Sequence, residues 1–459
     1  MDERRRQPSF SPETLAEILG RWPPVKRYWL AYSGGCDSHV LLHAAAQLQR
    51  RGAIAPLHAV HIDHGLHPAS ADWARHCTAV CASLELPLLC LRVNARPAPG
   101  ESPEAAARQA RYRAIAEVTE PGDCLLTAHH QDDQAETLLL QLLRGGGPHG
   151  LAAMPELAPF ARGQHARPLL AFPRAELQGY AEAQGLRWID DPSNADTGYD
   201  RNYLRREVLP ALRGRWPAVA RVLTRSAAHQ AEAAQLLDVL AAQDLVSCRS
   251  EQPACLDIPS LLKLDEARQR NALRFWLKNL GYKLPDTVRL AHVQRDVLQA
   301  AQDRMPVVSW EGVELRRYRE HLYALAPPAP GEVNAILTWD LHGPLRLPDG
   351  ASLTALPAQG KGVKAALSDA AVTVRFRQGG EHCQISPRGS TRPLKKLLQE
   401  RGVPPWLRER IPLLYVGERL AAVADYWVCA PFHAAADERG VTFEWHVAAS
   451  ETDRAHEKN

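Results

Sequence analysis

RYWLAYSGGCDS, residues 27–38, runs from an apolar segment through two glycines into the start of a helix. Arg27 to Tyr32 reads as a buried strand, and His39 to Leu48 continues with helical periodicity. Glycine lets the backbone turn tightly and present its N–H groups, while a helix start attracts anions. Ser33 and Ser38 add hydroxyl donors to that cradle. No GKS or GKT is present, so this is not a Walker loop. Asp37 places a carboxylate inside the cradle, which repels phosphate unless a divalent cation stands between them. The alternative is an ordinary strand-to-helix turn capped by Asp or Ser. Asp-Ser at this spacing, directly after a first buried strand, favours phosphate.

Outward from this loop the pattern repeats. Ala55 to Asp63, Leu86 to Val93 and Cys124 to Ala128 read as strands; Ala71 to Leu84, Glu104 to Val118 and Gln131 to Leu143 read as helices. Alternation of this kind predicts an α/β fold, a parallel sheet with flanking helices. Ligands of such sheets sit at the carboxyl ends of the strands. The unusual residues fall there: Ser33 to Ser38, His61 to Gly65 and His129 to Glu136. From Trp216 the texture changes to long helices, Ala218 to Leu245, Glu266 to Leu280 and Asp286 to Ala301. These precede strand-like Val307 to Trp310 and Glu314 to Leu325. PPAPG, Pro327 to Gly331, reads as a linker, and Val372 to Phe376 and Arg419 to Val428 as further strands.

The 459 residues suit several domains, with 45% hydrophobic and 23% charged residues. A net charge of +3 excludes a polycation but leaves room for a local basic face. Most basic residues are arginine, which reads as codon bias first and phosphate recognition second. The nine cysteines are scattered without a CxxC pair, so no disulfide framework or cluster site is expected. Cys77 and Cys81 read as small buried hydrophobes. The charged start MDERRRQPSF reads as no signal peptide, and the polar end ETDRAHEKN as frayed. No segment approaches the roughly 20 apolar residues of a membrane span, so a cytoplasmic protein is expected.

SGGCDS resembles the SGGxDS loop of the PP-loop ATP pyrophosphatases. These enzymes split ATP into AMP and pyrophosphate, usually by adenylating a carbonyl-type oxygen that a nucleophile then displaces. HIDHGL, residues 61–66, resembles the HxxHGL segment of tRNA(Ile)-lysidine synthetases, with His67 where members often carry Arg. By itself, this segment reads as a polar strand end turning at Gly65. EAAARQARYRAI resembles the family's helix at the same position. Glu104, Arg108 and Arg111 share a face of that helix, either as a surface salt bridge or aimed at phosphates. THHQDDQAET followed by LLRGGGPHGLAAM strongly resembles the family signature, with Gly145 to Gly150 as a closing loop. WIDDPSNADTGYDRNYLR resembles the pattern IxDxSNxDxxYxRNxLR, which brings Arg201, Asn202 and Arg205 near nucleotide or tRNA. Its Asp190, Asp191, Asn194 and Asp196 otherwise suggest a loose metal loop or an Asx-stabilised turn.

Between 382 and 410 lie Arg388, Arg392, Lys395, Lys396, Arg401, Arg408 and Arg410, against Glu400 and Glu409, a local excess of +5. Such a run reads as a solvated helix face or a phosphate-tracking surface. RGSTRPLKKLLQERGVPPWLRERIPLLY resembles the C-terminal domain of the longer lysidine synthetases, which implies tRNA contact through Arg392, Lys395 and Lys396.

The resemblance covers Tyr32 to about Arg215 and Val372 to Val428. It implies a PP-loop catalytic domain at 1–215 and a mainly helical tRNA-binding domain at 216–330. A linker at 331–370 and a small basic α+β domain at 371–450 would follow. It implies adenylation of the wobble cytidine of a CAU anticodon in tRNA(Ile), then displacement of AMP by L-lysine. Ser33, Gly34, Gly35, Cys36, Asp37, Ser38 and His61 would bind ATP, with Asp37 on Mg²⁺. Arg108, Arg111 and His130 would stabilise phosphates or developing charge. Asp132 and Glu136 would orient the lysine amine. A tRNA thiolase is the first rival and a non-catalytic RNA-binding protein the second. Monomer and homodimer stay open.

Overall fold

The computed structural model describes residues 9–65, 69–97, 102–250, 252, 254–301, 304–327, 335–365 and 372–446. His67, most of the PPAPG segment and the terminal ETDRAHEKN lie outside them. The chain divides into two compact units, Met1–Leu236 and Leu237–Asn459. The division falls inside the helix Val219–Cys248.

The first unit is built on a six-stranded sheet. Its strands are β1 (Arg27–Ala31), β2 (Leu57–Asp63), β3 (Leu88–Arg92), β4 (Asp123–Leu126), β5 (Leu157–Phe160) and β6 (Gly163–Ala166). Their spatial order is β3-β2-β1-β4-β6-β5. All neighbours are parallel except the β5–β6 edge hairpin. That hairpin was not legible in the sequence, because LAPF and GQHA carry Pro, Gly, Gln and His in place of an apolar run.

Helix α1 spans Pro12–Leu19, α2 Cys36–Arg50, α3 Ser70–Ser83, α4 Pro103–Val118 and α5 Gln131–Leu143. α2 buries Val40, Leu41, Leu42, Ala44, Ala45, Ala46 and Leu48 in the main core with Leu30, Leu57 and Leu126. Cys77 and Cys81 are fully buried there, as their spacing suggested. The glycine run after α5 contains a helical turn, α6 (Pro148–Leu151).

In the second unit, three helices cover an antiparallel sheet. The helices span Ile258–Leu262, Glu266–Asn279 and Thr287–His292. The sheet order is Cys255–Asp257, His321–Leu325, Val313–Tyr318, Val307–Trp310. The single strand expected over 314–325 is therefore a hairpin, reversed where Arg319 takes a φ of 55°. The expected strand 419–428 is likewise broken, at Ala424 with a φ of 41°. Among the described residues, five-, four- and two-stranded sheets and the helices Leu394–Glu400 and Pro405–Arg408 follow.

Cys383 and Cys429 form a disulfide with Cα atoms 5.6 Å apart. This corrects the expectation that the cysteines stay unpaired. Their separation of 46 residues carries no spacing signature. No helix among the described residues is long and apolar enough to cross a membrane.

Candidate active site

Four segments converge on the carboxyl edge of the first sheet: the loops after β1, β2, β4 and β6. After β1, Gly34 takes a φ of 86°, and a Cβ there would lie 2.8 Å from Ile189 Cδ1. Only glycine combines that conformation with that approach. The Ile189 N–H donates to the Gly34 carbonyl at 3.0 Å, tying the second family-like loop to the first. Ser38 Oγ donates to the Gly35 carbonyl at 2.9 Å and lies 3.0 Å from Ser33 Oγ. Gly35 caps α2 without a side-chain bond, so the first amides of α2 face the cradle uncapped.

Asp37 stands in the first turn of α2. Its Oδ2 lies 3.5 Å from His130 Nε2, and Arg174 Nε lies 4.0 Å from its Oδ1. Oδ1 is buried and has no hydrogen-bond partner. A carboxylate oxygen orphaned beside open helix amides fits a divalent cation bridging to phosphate. Burial, then the neighbouring Asp37, pushes the Cys36 thiol up to about 11, which disfavours the thiolate.

His61 is buried, and its Nδ1 lies 2.9 Å from the Tyr32 carbonyl and 3.4 Å from Cys77 Sγ. It braces the end of β1. His64 Nε2 lies 3.4 Å from Arg111, and burial, then Arg111, holds the imidazole down to about 4.

The helix expected to carry an Glu104–Arg108 pair is wired differently. Glu104 pairs with Arg201 at 3.5 Å, and Arg108 lies over the Tyr112 ring at 5.0 Å. Both Arg108 and Arg111 are exposed at the site's rim.

The start of α5 carries the dense electrostatics. His130 and Asp133 cap the helix reciprocally, each accepting from the other's backbone N–H. Burial opposes the charge of His130, but Asp133 and Asp37 outweigh it and hold the imidazole above its usual value. Glu136 has no exposed surface, and Arg205 takes both its oxygens at 2.7 and 2.9 Å. Arg205 also donates to Asp133 at 2.8 Å. Burial pushes the Glu136 carboxyl up, and Arg205 opposes this only in part. Asp132 accepts from the Arg174 N–H at 2.9 Å and pairs with Arg213. The acidic pocket expected to be open for a cationic amine thus already holds guanidinium groups. Asp133, Arg174 and Arg213 were not among the expected site residues. Asp133 alone had a sequence signal, its place between Asp132 and Glu136.

The Asp190–Asp196 stretch is an Asx-stabilised loop. Asp191 caps Ser193, Asp196 accepts from the Gly198 N–H, and Asn202 donates to the Ser193 and Asp196 carbonyls. No metal-holding cluster of His, Cys, Asp or Glu occurs among the described residues.

The basic run of the second unit is less basic than its count. Arg408 is buried, donating to the Val403 carbonyl and to Tyr318 Oη. Arg392 pairs with Glu400 and Arg410 with Asp349. Lys395 and Lys396 are exposed on a helix whose Leu394, Leu397 and Leu398 are buried, and Arg388 and Arg401 are exposed beside it.

Residues 11–212 match the PP-loop domain model, 256–323 the TilS substrate binding domain and 372–445 the TilS substrate C-terminal domain. A tRNA(Ile)-lysidine synthase of Coxiella burnetii is 44% identical over 95% of this chain and 96% of its own. The chain belongs to the tRNA(Ile)-lysidine synthase family. Other members, from Pseudomonas putida and Shigella flexneri, are 45% and 42% identical over 89% and 92% of the chain, covering 94% and 96% of their own lengths. A solved U34-tRNA thiolase from Methanococcus maripaludis is 16% identical over 50% of this chain and 86% of its own, with a TM-score of 0.41. That likeness is too weak to bear on activity, and the family assignment displaces the thiolase reading.

The site also makes the fold acid-sensitive. Burial holds His39 and His64 down to about 4, and His129 and His165 to about 3. An imidazole with a depressed folded pKa binds its proton more readily when unfolded. Its stabilising effect is complete above about 6.5 and is lost as pH falls toward the folded value. The melting temperature should therefore drop steadily from pH 7 to pH 5 in circular dichroism. A flat profile would contradict neutral burial of these rings.

Proposed function

We propose that this protein ligates L-lysine to carbon 2 of the wobble cytidine in the CAU anticodon of tRNA(Ile), consuming ATP and releasing AMP and pyrophosphate. The observation that carries this reading is family membership along almost the whole chain, with an ATP-type cradle intact at Ser33–Ser38. The cytidine O2 attacks the α-phosphorus and pyrophosphate leaves. The lysine ε-amine then attacks carbon 2, AMP leaves, and the amine proton passes to a base.

Ser33, Ser38 and the amides of α2 would hold the leaving pyrophosphate. Asp37 would hold a Mg²⁺ ion, which neutralises phosphate charge when bound. His130, which Asp133 and Asp37 hold above its usual value against burial, would stand beside that phosphate. Arg108 and Arg111 line the rim where the polynucleotide enters. The lysine amine would exchange with the guanidinium of Arg205 at Asp133 and Glu136, so the pocket stays charge-balanced until substrate arrives. An unperturbed lysine pKa of ~10.4 makes such a proton acceptor necessary. Lys395, Lys396, Arg388 and Arg401 would track tRNA phosphates.

Incubation with ATP, labelled lysine and tRNA transcripts tests the reading. Lysine should enter only the CAU-anticodon isoleucine tRNA. Sulfur incorporation instead, or none of either label, would overturn it.

A further inference from the structure

Four polar side chains behind the site form a hydrogen-bonded chain with one possible direction. Arg167 NH2 lies 3.0 Å from His165 Nδ1, His165 Nε2 lies 2.9 Å from Thr127 Oγ1, and Thr127 Oγ1 lies 2.8 Å from His129 Nδ1. A guanidinium can only donate. His165 Nδ1 must therefore accept, which puts the ring's proton on Nε2. That N–H donates to Thr127; the hydroxyl has no acceptor other than His129 Nδ1 among the described residues, and so donates to it. His129 is left with its proton on Nε2, for which no partner is present among the described residues. Thr127, His165 and Arg167 are all buried, whereas His129 is half-buried.

The charges point the same way. Arg167 is 8% exposed, its Nε has no partner, and its other nitrogens meet the Pro155 carbonyl and His165, with the Tyr112 side chain beside the guanidinium. No carboxylate neutralises it among the described residues. A buried guanidinium without a counter-ion is costly unless an anion completes it. The groups acting on His129 are Asp133, Arg167, Arg108 and Arg201, three cations to one anion. Burial keeps the ring neutral, held down to about 3.

We propose that Arg167, His165 and Thr127 are positioning residues that lock His129 as a neutral Nε2–H donor to a phosphate oxygen of the substrate. This rests on the lysidine synthase reading for the identity of the substrate. The phosphate belongs either to ATP or to the RNA backbone. The roles are distinct from those of Asp37 and His130, which lie on the β1 side of β4.

Histidine ¹⁵N spectra of the full-length protein test the lock directly, whether or not lysine is transferred. His129 should show the Nε2–H tautomer, and Thr127→Val and Arg167→Met should mix it with Nδ1–H. In activity assays both variants should lose roughly ten-fold or more in kcat/KM, the scale of one charge-assisted hydrogen bond. Arg167→Met should also raise the pH at which His129 titrates, because it removes one of the cations that act with burial to hold the ring down. His129→Gln, which keeps an N–H near the Nε2 position, should retain more activity than His129→Leu. A raised KM for ATP with unchanged anticodon stem-loop affinity assigns the phosphate to the nucleotide, and the reverse assigns it to RNA. An Nδ1–H tautomer in the native protein overturns the proposal. So do variants that only melt earlier, with KM, RNA affinity and pH profile unchanged.

Discussion

Asp37→Ala is expected to abolish ATP/pyrophosphate exchange while leaving the fold intact. The carboxylate makes no hydrogen bond that holds the loop; the loop is held by Ser33, Ser38, Gly35 and Ile189. Its Oδ1 is buried without a partner, a cost that a folded protein sustains for function. Removing it should therefore leave the melting temperature unchanged or slightly raised. Loss of the cation's anchor beside the transferred phosphate should cost on the order of a hundredfold or more in exchange rate. Asp37→Asn should fail nearly as badly, since an amide presents less charge to a cation. Full exchange activity in Asp37→Ala would remove Asp37 from the phosphate site altogether.

Arg205→Met should be both unstable and inactive. Glu136 is wholly buried, and the substitution leaves it and Asp133 without the guanidinium that bridges them. Breaking a buried pair by removing one partner costs about 3–5 kcal/mol, because the surviving charge stays buried. The denaturation midpoint should fall accordingly. Adding Glu136→Gln should recover much of the stability, because no charge is then stranded at that position. It should not recover lysidine formation if Asp133 and Glu136 receive the amine. An Arg205→Met protein that unfolds at the wild-type midpoint would show that the pair carries little net energy.

Local order was the legible part of the fold. β1, β2 and β4 stood out because a buried parallel strand must be apolar along its length, β3 because LLCL is apolar although it lies at the sheet's edge, and α5 was bounded correctly by its acids and leucines. β5 lies at the other edge and β6 pairs between it and β4, and neither LAPF nor GQHA carries an apolar run. The hairpins at Arg319 and Ala424 were hidden because neither turn residue is glycine, and both take a positive φ.

The site was legible as residue types and not as pairings. Glu136 and Arg205 were both singled out, yet nothing in a linear chain says that residues 69 apart will neutralise each other. Glu104 meets Arg201 instead of its helical neighbour for the same reason. Charge counting also overstated the basic tail, since Arg408 is consumed inside the fold. The Arg167–His165–Thr127 chain escaped notice because RPLL and GQHA carry no motif, and its meaning lies in hydrogen-bond direction alone.

Trp406 has a consequence for how force would pass through the second unit. Its ring lies 6.1 Å from Tyr318 and 5.3 Å from Tyr323, with Arg316 over its face at 5.6 Å. Arg408 donates to Tyr318 Oη, and Arg319 to the Gln399 carbonyl. The hairpin 313–325 matches one family model and the turn 401–408 the other, so this aromatic–arginine knot fastens together what the two models treat as separate modules. The knot would act as a weld: a tug on Lys395 or Lys396 by a bound polynucleotide would reach the hairpin through these side chains as well as along the backbone.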